Sequence, residues 1–262
     1  MEIVVLPSLD EAAELAATRL VRLAASKPDV VLGLATGSSP LPLYRALQRR
    51  VEQGLDLRRA QGFALDEYVG LPPGDPRSYA ATIDREVTRP LRLDPARVHV
   101  PQGAAEDLEQ AAEDFERAIA AAGGVDVQLL GIGTQGHLGF NEPGSSLGSR
   151  TRLKTLTRQT REDNARFFAG VEDVPRHCLT QGLGTVLDAR ALVLFAAGPA
   201  KAEAVAAALE GPLSSSCPAS VLQLHRSVTV YLDEAAAARL ARAEFYADTF
   251  AHQPAWQRER AF

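Results

Sequence analysis

A chain of 262 residues with 46% hydrophobic content has enough apolar material for a full core, and an α/β unit of this size commonly forms one domain. Its net charge of −5 excludes nucleic acid and anionic membranes as main partners, since both demand a basic face. The two cysteines, Cys178 and Cys217, are too few for a disulfide framework and sit in no zinc-binding spacing, and no apolar run nears the roughly 20 residues that span a bilayer, so the expectation is a soluble protein of the reducing cytoplasm.

In chain order, the pattern predicts a strand at 3–6, a helix at 9–25, a strand at 30–35, a helix at 41–53 and a strand at 62–65. A strand at 98–100, a helix at 105–122 and a strand at 125–132 follow, then a strand at 192–197, a helix at 201–209, a strand at 228–232 and a helix at 234–250. Several strand runs are too uniformly apolar to have a wet face, which points to parallel pairing buried on both sides. Alternation of this kind predicts one α/β domain over 1–262, a three-layer α/β/α sandwich around a mostly parallel, Rossmann-like sheet with right-handed crossovers. The stretch 138–176 breaks the pattern. It is rich in Gly, Ser and Arg, and reads either as an active-site lid or as a solvated charged loop.

Four segments can carry chemistry. In Leu34-Ala35-Thr36-Gly37-Ser38-Ser39-Pro40 a strand ends and a helix begins, so the hydroxyls and free amides can cradle a phosphate; an ordinary Ser N-cap followed by Pro fits equally. The segment matches neither the P-loop nor the dinucleotide fingerprint, which disfavours ATP and NAD. In Leu65-Asp66-Glu67-Tyr68-Val69-Gly70 the adjacent carboxylates point to opposite faces if strand geometry persists. One of them then faces the cleft as a candidate general base, with a turn-forming Asp as the alternative.

The third segment, Gly131-Ile132-Gly133-Thr134-Gln135-Gly136-His137-Leu138-Gly139-Phe140-Asn141-Glu142-Pro143, opens from a buried strand, and its glycines let the chain fold back so that Glu142 can hold one ring nitrogen of His137 and raise its basicity. No Ser sits in a nucleophile elbow, which argues against acyl-enzyme chemistry. The fourth segment supplies cations. Lys201 lies at a predicted helix N-terminus, an unfavourable place for a positive charge unless an anion is bound there, and Arg166 lies in the irregular stretch; solvated surface cations are the alternative.

These motifs, in this order, resemble the glucosamine-6-phosphate deaminase family, chiefly through Thr36-Gly37-Ser38-Ser39-Pro40, the run from Leu65 to Pro72, the run from Gly136 to Pro143, and Ser149-Arg150-Thr151-Arg152. The resemblance extends from the first strand to Leu232. It implies a reaction without metal or cofactor on a small amino-sugar phosphate, with the phosphate held by Thr36, Gly37, Ser38, Ser39, Arg166 and Lys201. His137 and Glu142 would open the pyranose ring, and Asp66 would move a proton from C2 to C1. Familiar members carry Asp where this chain has Gln135, a residue that cannot ionise at neutral pH. Ser145, Arg152 and Lys154 match positions that contact an activator in the members that are allosteric hexamers, which leaves a homo-oligomer open; exposed lid residues are the alternative for Arg152 and Lys154. Galactosamine-6-phosphate deaminase, 6-phosphogluconolactonase and a non-catalytic sugar-phosphate sensor are the competing readings.

Overall fold

The computed structural model describes residues 1–262, and no helix in it is long and apolar enough to cross a membrane. Strands β1 (Glu2–Leu6), β2 (Val31–Leu34) and β3 (Gln61–Ala64) are joined by helices α1 (Leu9–Ser26) and α2 (Leu41–Glu52). The chain continues through β4 (Asp66–Tyr68), α3 (Tyr79–Ile83), β5 (Val98–His99), α4 (Leu108–Ala121) and β6 (Val127–Gly131). Beyond these lie β7 (Arg152–Thr155), α5 (Arg158–Asn164), β8 (His177–Thr180), α6 (Leu183–Leu187), β9 (Ala191–Ala196) and α7 (Ala202–Leu209). The last elements are β10 (Val228–Asp233), α8 (Glu234–Ala237), α9 (Ala243–Ala251) and α10 (Ala255–Arg258).

Seven strands form one sheet in the order β1-β10-β9-β6-β2-β3-β5, and every pair in it is parallel. The continuous burial of β2 and β9 explains this, because strands apolar on both sides need a helical layer on each face. From β2 the chain moves toward β5, whereas from β6 it moves toward β10. Right-handed crossovers running in opposite directions place α1 and α2 on one face and α4, α6 and α7 on the other, which gives the three layers. The direction reverses between β2 and β6. In such a sheet a crevice opens there, beyond the carboxyl ends of the two strands.

Local caps set several helix starts. Ser8 accepts from Glu11 N at 3.3 Å to begin α1, and Asp107 accepts from Gln110 N at 2.9 Å to begin α4 three residues later than the periodicity suggests. The helix expected over 234–250 is broken. Asp233 caps α8 by accepting from Ala236 N, but the Glu210 carboxylate then accepts from Ala241 N and Arg242 N, diverting amides that a continuous helix would use.

A second sheet, antiparallel and ordered β4-β8-β7, was not visible in the pattern. Its strands are short and mostly polar, so they carry no apolar run. It forms because the chain leaves the large sheet at Leu65, whose carbonyl accepts from Gln181 N at 2.8 Å, and β4 then pairs with β8. The stretch 138–176 therefore contains β7 and α5 and is less irregular than expected. Where β4 ends, Gly103 packs so tightly that a Cβ would lie 2.0 Å from the Tyr68 carbonyl oxygen. Gly103→Ala is expected to cost about 3 kcal/mol, read from the urea midpoint; an unchanged midpoint would contradict this packing.

Candidate active site

The crevice between β2 and β6 is where the conspicuous loops meet. After β2 the chain turns at Gly37, whose φ of +91° suits glycine, and enters α2. Pro40 occupies the N-cap of α2 and no side chain caps it, so the hydroxyls of Ser38 and Ser39 are not spent on capping. Gly37 and Ser38 are exposed. Ser39 lies against Gly131 at the end of β6, with its Cβ 3.5 Å from where a Gly131 Cβ would be. The free first-turn amides of α2 and these hydroxyls thus face the second loop across the crevice.

The second loop is closed by backbone bonds from Gly133 N to His137 O and from Gly136 N to Gly133 O, both 3.0 Å. Two glycines are dictated by contact here. A Cβ on Gly133 would lie 2.0 Å from the His137 ring, so the imidazole lies flat on that backbone. Gly139 has φ +55°, and a Cβ on it would come within 3.1 Å of both Asp66 Oδ2 and Thr180 Oγ1. The His137 loop therefore closes directly over Asp66. Asn141 pins it by donating to Leu138 O and to Gln181 O, and Phe140 N donates to Thr180 Oγ1.

Asp66 and Glu67 diverge as strand geometry requires. Glu67 turns toward α3 and accepts from the backbone amides of Tyr68, Tyr79 and Ala80 at 2.7, 2.9 and 2.8 Å. Asp66, 5% exposed, receives no hydrogen bond from the protein and borders the crevice. Burial and the neighbouring charge of Glu67 push its pKa up to about 8. Burial raises the pKa of Glu67 as well, while its three amide donors, which Asp66 lacks, stabilise its charged form and act against that rise.

His137 is half-buried, and burial lowers its pKa below the usual 6.5; the charge of Lys201 acts in the same direction, while Glu142 and Asp163 oppose it. This reverses the raised basicity expected from a His–Glu pair. The physical reason is burial, which Glu142 offsets only from a distance because it accepts from Thr157 N, Thr157 Oγ1 and Thr160 Oγ1 at the start of α5 and not from the imidazole. His137 Nδ1 is buried with no partner at all. Gln135 is exposed on the turn and makes no hydrogen bond to His137.

Lys201 is half-buried at the N-cap position of α7, and burial lowers its pKa, opposed by Asp163 and assisted by Arg166. Arg166 is exposed over the Phe167 ring, 4.8 Å from its centroid. Neither cation makes a salt bridge, and Asp163, the carboxylate that acts on Lys201, accepts instead from Gln159 Nε2 at 3.0 Å. Two unpaired cations near a helix start form an electropositive wall suited to a phosphate. No group of three or more His, Cys, Asp or Glu side chains is arranged to hold a metal ion.

The remaining candidates sit at the base of the small sheet. Ser145 is buried with an unpartnered Oγ, Arg152 donates to Asn141 Oδ1 at 2.8 Å, and Lys154 is half-buried on β7. Motif reading missed Tyr79. Its ring stacks on Phe140, its hydroxyl lies 3.4 Å from that of Tyr68, and Thr36 is near enough to act on that hydroxyl, so it sits between the β2 loop and the Asp66 strand. Only the Ser78 cap before it signalled a helix start, and nothing in its spacing signalled a site.

A buried carboxylate without donors, a neutral imidazole and an electropositive wall at the switch point of a parallel sheet define an α/β enzyme of phosphorylated small molecules. Residues 8–231 match the family of glucosamine-6-phosphate isomerases and 6-phosphogluconolactonases, and the chain belongs to that family. It is similar to a glucosamine-6-phosphate deaminase of Pseudarthrobacter chlorophenolicus, 57% identical over 257 residues that cover 98% of this chain and 99% of that protein. A second, from Arthrobacter sp. strain FB24, is 58% identical over 258 residues, again covering 98% and 99%. Among solved structures, a monomeric glucosamine-6-phosphate deaminase superposes with a TM-score of 0.88 at 40% identity, covering 91% of this chain and 100% of that one. A 6-phosphogluconolactonase from Thermotoga maritima, 21% identical with a TM-score of 0.68 over 88% of this chain and 98% of that one, shares the fold.

Proposed function

We propose that the chain converts glucosamine 6-phosphate and water to fructose 6-phosphate and ammonium. The observation that carries this reading is Asp66, a buried carboxylate on the crevice with no donor to quench it, opposite a loop able to hold a phosphate. Thr36, Gly37, Ser38 and Ser39 cradle the phosphate, with Lys201 and Arg166 neutralising it, and the sugar is thereby fixed between His137 and Asp66. His137, neutral at pH 7, accepts the anomeric hydroxyl proton and returns it to the ring oxygen, which opens the ring. The aldehyde at C1 acidifies the C2 proton. Asp66 takes that proton, forming a 1,2-enolamine, and returns it to C1 to leave a C2 iminium; water adds to C2 and ammonia departs.

Lactone hydrolysis requires a base only to activate water, and none of its steps uses proton transfer from C2 to C1. The deaminase names of the relatives over 50% identical favour the amino sugar as substrate. Segment 138–176 acts as a lid in this reading, since it carries Arg166 and is tied to itself where Thr157 and Thr160 donate to Glu142. Two free cysteines support a reducing, cytoplasmic setting. The homo-oligomer and the activator role of Ser145, Arg152 and Lys154 have weaker support, because the similar deaminase structure is monomeric and every residue of the proposed reaction lies on one chain.

The test is ammonia and fructose 6-phosphate release from glucosamine 6-phosphate, with galactosamine 6-phosphate and 6-phosphogluconolactone run in parallel. Ammonia from glucosamine 6-phosphate at the highest kcat/KM supports the reading; hydrolysis of the lactone alone overturns it. Because Gln135 faces solvent, Gln135→Asp is expected to change kcat less than about threefold. A much larger gain in the same assay would show that a carboxylate there assists ring opening.

A further inference from the structure

Glu67 takes no part in the reaction as derived, yet it is 5% exposed and sits back to back with Asp66 on β4. A buried carboxylate is expensive to keep unless it performs a task. Its hydrogen bonds show where it acts. Tyr68 N lies on its own strand, whereas Tyr79 N and Ala80 N belong to the first turn of α3, so one carboxylate ties the base strand to the helix that carries Tyr79. Ser78 already caps α3 by accepting from Ala81 N at 3.1 Å, so the helix start does not need Glu67 for that amide. Tyr79 in turn stacks on Phe140 in the His137 loop, and its hydroxyl lies near enough to Thr36 of the phosphate loop for that residue to lower its raised pKa. All three loops of the crevice therefore meet at a side chain whose backbone Glu67 holds.

We propose that Glu67 is a positioning residue of the reaction, a fixed negative charge behind Asp66 that strengthens it as a base and seats Tyr79 between the phosphate loop and the His137 loop. The proposal rests on the assignment of Asp66 as base. Around Asp66 the other titratable groups are Tyr68 on β4, Tyr79 on α3 and Cys178 on β8, and burial raises the pKa of each, so all three are neutral near pH 7. Glu67 is thus the nearby group able to place a charge on Asp66. Burial opposes the charge of Glu67, its three amide donors favour it, and Asp75, which also opposes it, is itself engaged by Arg77 at 2.5 Å.

Steady-state kinetics of Glu67→Gln against pH, with glucosamine 6-phosphate, test this. The acid limb of kcat/KM is expected to move down by about one to two pH units, as removal of the neighbouring like charge predicts, while the high-pH plateau falls several-fold because a weaker base results. An acid limb at the wild-type position, in a variant that still binds fructose 6-phosphate, overturns the proposal. Tyr79→Phe keeps Glu67 and its amide bonds, so it tests the second half even if Glu67→Gln fails to fold. It is expected to raise KM with the acid limb unmoved, and an unchanged KM removes the seating role. Asp66→Asn separates the two readings: persistent C2 proton exchange there defeats the base assignment itself, whereas lost exchange with an unmoved Glu67→Gln limb defeats only the proposal.

Discussion

Asp66→Asn is expected to lower kcat for deamination by about a thousandfold or more, within the range that a positioned general base contributes. The same substitution should stabilise the fold, and the two effects together identify the residue. The folded pKa of about 8 lies above the value of an unfolded Asp, so the native state holds a proton that the unfolded state has lost. Ionising Asp66 therefore costs stability progressively from about pH 4, and the cost is complete above pH 8. Asn carries no such cost. The variant should equal the wild type near pH 4 and exceed it by on the order of 4 kcal/mol above pH 8, read from urea midpoints across that window. A variant whose advantage does not grow with pH would show that Asp66 is not a desolvated carboxylate.

Replacing Lys201 with Met should raise KM for glucosamine 6-phosphate roughly 10- to 150-fold, the equivalent of about 1.5–3 kcal/mol for a charge-assisted hydrogen bond. The half-buried ammonium feels Asp163 but makes no salt bridge to it, so its charge is available to the substrate phosphate. Arg166→Met should cost less, because its guanidinium is exposed and screened. Lys201 also holds the His137 pKa down, so the Met variant should show His137 titrating at higher pH in the NMR spectrum. An unchanged KM would place the phosphate elsewhere.

The parallel sheet was legible because its strands are continuous apolar runs separated by periodic helices, and the boundaries of β2, β6, β9 and β10 fall within a few residues of those runs. The small sheet was not legible, since Asp66-Glu67-Tyr68 and Arg152-Leu153-Lys154-Thr155 lack any apolar run and pair only because the chain departs from the large sheet at Leu65. At the site, the division of Asp66 from Glu67 followed from strand alternation alone. The partner of Glu142 did not follow. The glycines of the loop suggested that it folds back until Glu142 holds a His137 ring nitrogen, whereas Thr157 and Thr160 at the start of α5 take the carboxylate. Tyr79 was likewise hidden, because its place between two loops is a product of the tertiary fold.

The central claim is that a proton passes from C2 to C1 through Asp66 before ammonia leaves, and the reaction of glucosamine 6-phosphate deuterated at C2 tests it most directly. The account predicts a primary isotope effect, one ammonium released per fructose 6-phosphate formed, and part of the deuterium retained at C1 of that product. Ammonium release with no isotope effect and no deuterium at C1 would contradict it.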